Sequence, residues 1–227
     1  MKVPQLLQLV RKEVLLEFRA REVVTVMLTL SILFSVIIGF GVEQSFVDIA
    51  VKERLFAFLV WVAFIFMATL TLGKVHDYDV LEGAHEALLL SGFSAQALFL
   101  SKVIVQSVIL TFGQMLSTIC IAGMIGVSLE GRLLSLSVLT SLTVAAYTAL
   151  SVLLSALTIG SRLRQVLLPL LVLPVMMPLF FAALEMTTGI LLSGQIDLSS
   201  PWFVLLMLLE VLYFGLGILL YQFAVLD

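Results

Sequence analysis

Apolar residues run through this chain in six long blocks. Stretches without any charge occupy 23–42, 55–73, 103–129, 133–161 and 165–184, and a sixth, 198–226, contains one charge, Glu210. A helix rises about 1.5 Å per residue, so about 20 residues cross the hydrocarbon core of a bilayer, and every block is long enough. Barrel strands would alternate apolar and polar positions, and these blocks do not. Backbone groups in lipid must find partners within their own segment, which selects helices. The pattern predicts an all-α polytopic membrane protein with six transmembrane helices in one domain over 1–227.

The polar positions set the organisation around those blocks. Within 1–22, residues Leu6, Leu7, Val10, Val14 and Phe18 share a face at 100° per residue, with Gln8, Lys12 and Arg19 opposite. Glu17 and Arg21 intrude on that face. The expectation is an interfacial helix in the headgroup plane, leading into a first span that is retained rather than cleaved as a signal peptide. Lys2, Arg11, Lys12, Arg19, Arg21, Lys74, Lys102, Arg162 and Arg164 fall on one side of the predicted spans, against Lys52, Arg54 and Arg132 on the other. Nine against three places both termini in the cytoplasm. Between Glu185 and Asp197, the run 186–196 is apolar or small but too short to span, and is expected to be an external re-entrant or interfacial segment.

Composition strengthens the membrane assignment. The chain is 62% hydrophobic and 12% charged, where soluble domains run at about 45–50% and about 25%. The excess apolar surface needs lipid. A net charge of −3 points to neither nucleic acid nor a polybasic lipid patch. The single cysteine, Cys120, lies within an apolar block and reads as a small hydrophobe.

Few residues carry candidate chemistry. The one substantial hydrophilic stretch is 74–102, on the cytoplasmic side. Asp79, Glu82 and Glu86 are spaced by three and four, so a helix would align them, and Ser91-Gly92 would stop it. The stretch reads either as a solvated loop or as a short amphipathic helix offered to a cytoplasmic partner. His76 and His85 accompany the acids without any specific metal-ligand spacing. There is no phosphate-binding loop, GxSxG elbow or nucleophile–base pair, so this chain is not expected to hydrolyse nucleotide itself. An ion relay would place several acids or bases inside spans. Here only Glu210 lies deep, with Glu185 nearer an end. Pro169, Pro174 and Pro178 punctuate the fifth block, and each removes a backbone donor and tends to bend a helix.

Taken together, these segments resemble a known family. The stretch from Ala156-Leu-Thr-Ile-Gly160 through Arg162-Leu-Arg164 to Leu173-Pro174-Val-Met-Met-Pro178 is similar to the A-L-T-x-G turn, basic residues and L-P-x-x-x-P helix of cytochrome c maturation protein B (CcmB), a haem exporter membrane subunit. Trp61-Val-Ala, Asp77-x-Asp79-x-x-Glu82-Gly83-Ala84-x-Glu86-x-Leu88, Leu100-Ser-Lys102-Val and Arg11-Lys-Glu13…Phe18-Arg19 resemble its other blocks. The acidic-Gly-x-x-Glu loop is common to many ABC-2-type export permeases, whereas the G…P…P block is more specific. The chain departs from the pattern at Lys74 and His76, where more basic residues are usual, and at Gly113-Gln114, where prolines are.

The resemblance implies a multi-pass protein of the bacterial inner membrane. Its partners would be a separate cytoplasmic CcmA-like ATPase, CcmC-like and CcmD-like membrane proteins and a CcmE-like haem chaperone. ATP would bind the ATPase and haem would be handled by partner proteins, with no cofactor on this chain. Residues 74–102 become the coupling region, and Asp77, Asp79, Glu82, Gly83 and Glu86, with Arg11, Lys12, Arg19, Arg162 and Arg164, become candidates for contact with the ATPase. Three other readings stay open: an ABC-2 permease for a lipid, glycan or drug, an ion-coupled carrier using Glu210, and a scaffold for haem-handling partners.

Overall fold

The computed structural model describes residues 3–20, 22–43, 49–72, 94–158 and 163–226. They form seven helices, with no strand among the described residues: α1 (Val3–Ala20), α2 (Glu22–Glu43), α3 (Ile49–Leu72), α4 (Ala95–Ile125), α5 (Leu133–Leu157), α6 (Arg164–Ser193) and α7 (Pro201–Leu226). Five are long and apolar enough to cross a membrane, namely α3 to α7. In α2, the apolar part among the described residues is the shorter Leu28–Gly41.

The helices pack around α4 and α5. α4 touches α1, α2, α3, α5 and α7, while α5 packs on α4, α6 and α7. α5 is the most enclosed of the five long apolar helices and α7 the least. Its buried positions include Ala146, Ala149, Ser151, Ser155 and Ala156, small side chains that let neighbouring backbones approach. Between α3, α5 and α6 sits an aromatic cluster. Phe64 meets Tyr147 edge-on at 5.2 Å between centroids, Trp61 at 5.8 Å and Phe180 at 5.9 Å, the geometry favoured by ring quadrupoles.

Two boundaries differ from the sequence expectation. α6 runs through Glu185 to Ser193, so most of 186–196 is the last two turns of a span and not a separate segment. Glu185 does not end the helix because it is half-buried at the rim of the bundle, 3.6 Å from Arg54 of α3. The helix stops at Gly194, whose φ of 80° is one that glycine adopts freely and whose N–H bonds to Ile190 O at 2.8 Å. At the other end of the chain's hydrophilic stretch, α4 starts at Ala95, so 95–102 are helical and Lys102 is no loop residue. Ser94 caps this helix, its side chain accepting from Ala97 N.

In α1, the expected apolar face has Leu6, Val10 and Val14 half-buried. Leu7 is 71% exposed, while Leu9 and Glu13 are enclosed. The buried side of α1 is centred on that acid because α4 supplies a lysine for it. A hydrophobicity pattern has no means of registering such a partner.

Close approach of α4 and α7 depends on Gly217. A Cβ there would overlap the ring of Phe99, which is fully buried and stacks on Tyr221 at 5.4 Å. Gly217→Ala should therefore lower stability by about 1–3 kcal/mol, the usual cost of overpacking. The matching change at Gly215, where the space is open, should leave it nearly unchanged. Thermal unfolding in detergent measures both, and Phe99→Leu should recover part of the loss in Gly217→Ala.

Candidate functional site

Charged side chains are rare in this chain, and the structure gathers several of them where α1 meets the start of α4. Lys102 lies two turns into α4 and is 3% exposed, and Glu13 of α1 is 8% exposed. Lys102 Nζ is 3.6 Å from Glu13 Oε1, and Lys12 Nζ is 3.5 Å from the same oxygen. Local sequence explains the approach. Ser94 sets the first turn of α4, placing Lys102 on the flank that α1 covers, and Leu9, one turn before Glu13, packs the same side of α1 into the core. Removing ions from water costs several kcal/mol each, so neither would stay buried without an opposite charge.

On its other side, α1 presents Leu7, Arg11 and Leu15 outward, Leu15 being 52% exposed. Among the expected coupling residues, Arg11 is thus exposed and Lys12 half-buried beside Glu13. Arg19 falls in the last turn of α1 and Arg164 opens α6. Asp77, Asp79, Glu82, Gly83, Glu86 and Arg162 lie outside the described residues, as do His76 and His85. Arg11 and Lys12 therefore lie on the stretch of α1 that packs beside Lys102 of α4, whereas Arg19 and Arg164 are placed only by the helix ends they occupy.

α6 remains helical across Pro169, Pro174 and Pro178. Pro174 and Pro178 face outward, whereas Leu168, Val172, Met176 and Leu179 hold the inner side. The backbone donors missing at the prolines leave α6 with fewer internal bonds, and side chains from other helices brace it. Tyr213 of α7 donates to Val175 O at 2.8 Å, and Trp61 Nε1 of α3 donates to Thr187 Oγ1 at 2.9 Å. Glu210, three residues before Tyr213, is half-buried. Its Oε2 is enclosed and has no hydrogen-bond partner among the described residues.

The opposite end of the bundle carries its own charges. Arg132, at the start of α5, is 3.4 Å from Glu53, and Arg54 pairs with Glu185, so α3 is tied there to both α5 and α6. Beside Glu185 lies a cavity of about 210 Å³ lined by Met186, Gly189, Ser193, Gln195 and Asp197. Among the described residues no three His, Cys, Asp or Glu side chains gather to hold a metal ion.

Sequence reasoning missed Glu13 and counted Lys102 as a loop cation. The available signal was the placement of Lys102 inside Leu98-Phe-Leu-Ser-Lys102-Val-Ile, where a lysine needs a reason to be. The buried pair makes a specific energetic prediction. Glu13→Met should cost the most, up to about 3–5 kcal/mol, because it takes the carboxylate from both lysines, whereas Lys102→Met leaves Glu13 beside Lys12 and should cost less. A double-mutant cycle of thermal stability in detergent measures the difference.

No curated protein matches the chain. The family model described as CcmB protein matches residues 4–225. That match runs from α1 to the last turn of α7, across all the helices whose charged ends and proline segment form the candidate site. This chain belongs to the CcmB protein family, the haem exporter permeases of cytochrome c biogenesis.

Proposed function

We propose that this chain is the membrane subunit of an ABC-type complex in which a separate cytoplasmic ATPase drives a step of cytochrome c biogenesis, either haem export or release of a haem-loaded chaperone. The observation that carries the reading is the family match over 4–225. Five long apolar helices support a membrane role. In this reading α2 is a sixth span, both termini face the cytoplasm of a bacterial inner membrane, and α1 lies at the cytoplasmic interface. The nine-to-three bias of Lys and Arg supports that orientation.

The chain itself is non-catalytic. ATP is held by the CcmA-like ATPase, and haem is handled by CcmC-like, CcmD-like and CcmE-like partners. Asp77, Asp79, Glu82, Gly83 and Glu86 form the coupling element that meets a basic groove on the ATPase, with Arg11, Lys12, Arg19, Arg162 and Arg164 around it. Closure of the ATPase pushes this element and the helix starts beside it. Pro169, Pro174 and Pro178 make α6 the helix that yields, since each proline deletes one bond that would otherwise resist bending.

A second reading follows from one oxygen. Glu210 Oε2 is buried without a hydrogen-bond partner among the described residues, and acids of that kind within spans serve ion-coupled carriers. Such a carrier would need Glu210 and no ATPase.

A strain lacking the gene should lose covalent haem from all c-type cytochromes, with b-type haem intact, as read by haem-peroxidase staining of membranes. Normal c-type cytochromes would make another exported cargo the leading reading. Glu82→Lys combined with Glu86→Lys should abolish co-purification of the ATPase and leave membrane insertion unchanged. Glu210→Gln should retain full maturation, and its loss would favour the carrier.

A further inference from the structure

We infer that Glu13 and Lys102 are positioning residues that fix the register of α1 on α4, so that the two helices move as one body when the cytoplasmic coupling region is pushed. This deepens the ABC-permease reading and rests on it. Lys102 lies two turns beyond Ser94, the first described residue after the hydrophilic stretch, so displacement of that stretch enters the membrane domain through this part of α4. α1 has no covalent continuity with that point. Glu13 and Lys102 are 89 residues apart in sequence and meet at 3.6 Å.

The kind of contact matters. Leu9 holds α1 against the core, but an apolar contact changes little when one helix slides along another. A buried ion pair resists such slip, because a shift of one turn, about 5.4 Å, draws Lys102 away from Glu13 where little water can replace the contact. Fixing register is the best-attested use of buried polar pairs. Lys12, also 3.5 Å from Glu13 Oε1, sits on α1 itself and travels with it. Lys102 is the partner that crosses between helices. The outward face with Leu7, Arg11 and Leu15 is thereby given a fixed orientation relative to α4, and through α4 to α5 and α7.

The test uses the full chain in its assembled complex. Glu13→Met with Lys102→Met removes both charges while retaining apolar bulk. The quantities read are the amount of complex in the membrane, ATP hydrolysis per assembled complex and covalent haem in c-type cytochromes. The double variant should assemble at wild-type level yet lose at least tenfold in covalent haem per complex, while Lys102→Arg, which keeps the charge, should retain at least half. Full maturation by the double variant would overturn the inference. So would failure of the double variant to reach the membrane while Lys102→Arg assembles normally, since the pair would then serve folding and not coupling. A gene-deletion strain with normal c-type cytochromes would instead defeat the permease reading on which this rests, so the two failures are separable.

Discussion

Hydrocarbon supplies no hydrogen bonds, so polar groups inside this bundle gain by finding partners within the protein. Most hydroxyls meet the demand within their own helix. Thr118 donates to Gln114 O at 2.8 Å, Thr143 to Leu139 O at 3.0 Å and Thr187 to Ala183 O at 2.7 Å. The few side chains that reach across helices consequently define how the bundle is tied. Gln114 Nε2 donates to Val60 O at 3.0 Å, joining α4 to α3, and Ser107 and Thr148 hydroxyls meet at 2.6 Å, joining α4 to α5. With Trp61 to Thr187 and Tyr213 to Val175, these links connect α3 through α7. Each contributes about 0.6–1.7 kcal/mol, since an unfolded helix in lipid also finds partners. Tight packing of small and aromatic side chains supplies most of the rest.

The same constraint sends charges to the two ends of the bundle, where they act differently. Glu53–Arg132 and Arg54–Glu185 are partly open to solvent, so each contributes at most about 1 kcal/mol. They hold the end of α3 in place without committing it. Glu13 and Lys102 are enclosed, and their separation is costly. One end of the molecule thus has exchangeable ties and the other a fixed one. That asymmetry suits a membrane subunit driven from the side where the fixed tie lies.

Much of the architecture was legible because length and apolarity alone specify a spanning helix. The blocks beginning near 55, 103, 133, 165 and 198 all correspond to long helices. Their ends were less legible, because a charge was taken as a boundary. Glu185 and Lys102 are both within helices, each neutralised by a residue far away in sequence. The first apolar block, 23–42, falls within α2 (Glu22–Glu43). The amphipathic pattern of α1 did not single out Glu13: a period of 3.6 identifies faces by hydrophobicity and is blind to a carboxylate that is welcome only because of nearby lysines. The residues Asp77 to Glu86 and Arg162 lie outside the described residues, so the acidic part of the site rests on the sequence alone. What sequence did convey there was the rarity of its motifs, above all the A-L-T-x-G turn leading into the Pro174…Pro178 helix.

The buried pair between α1 and α4 also constrains how sequences of this kind can diverge. Replacing either Glu13 or Lys102 alone should cost stability, and replacing both should cost coupling, so sequences lacking one or both are selected against. Descendants are expected to inherit both. Two positions 89 residues apart thereby behave as a single heritable character. In a chain whose other buried positions accept many apolar substitutes, that character should change far more slowly than its surroundings.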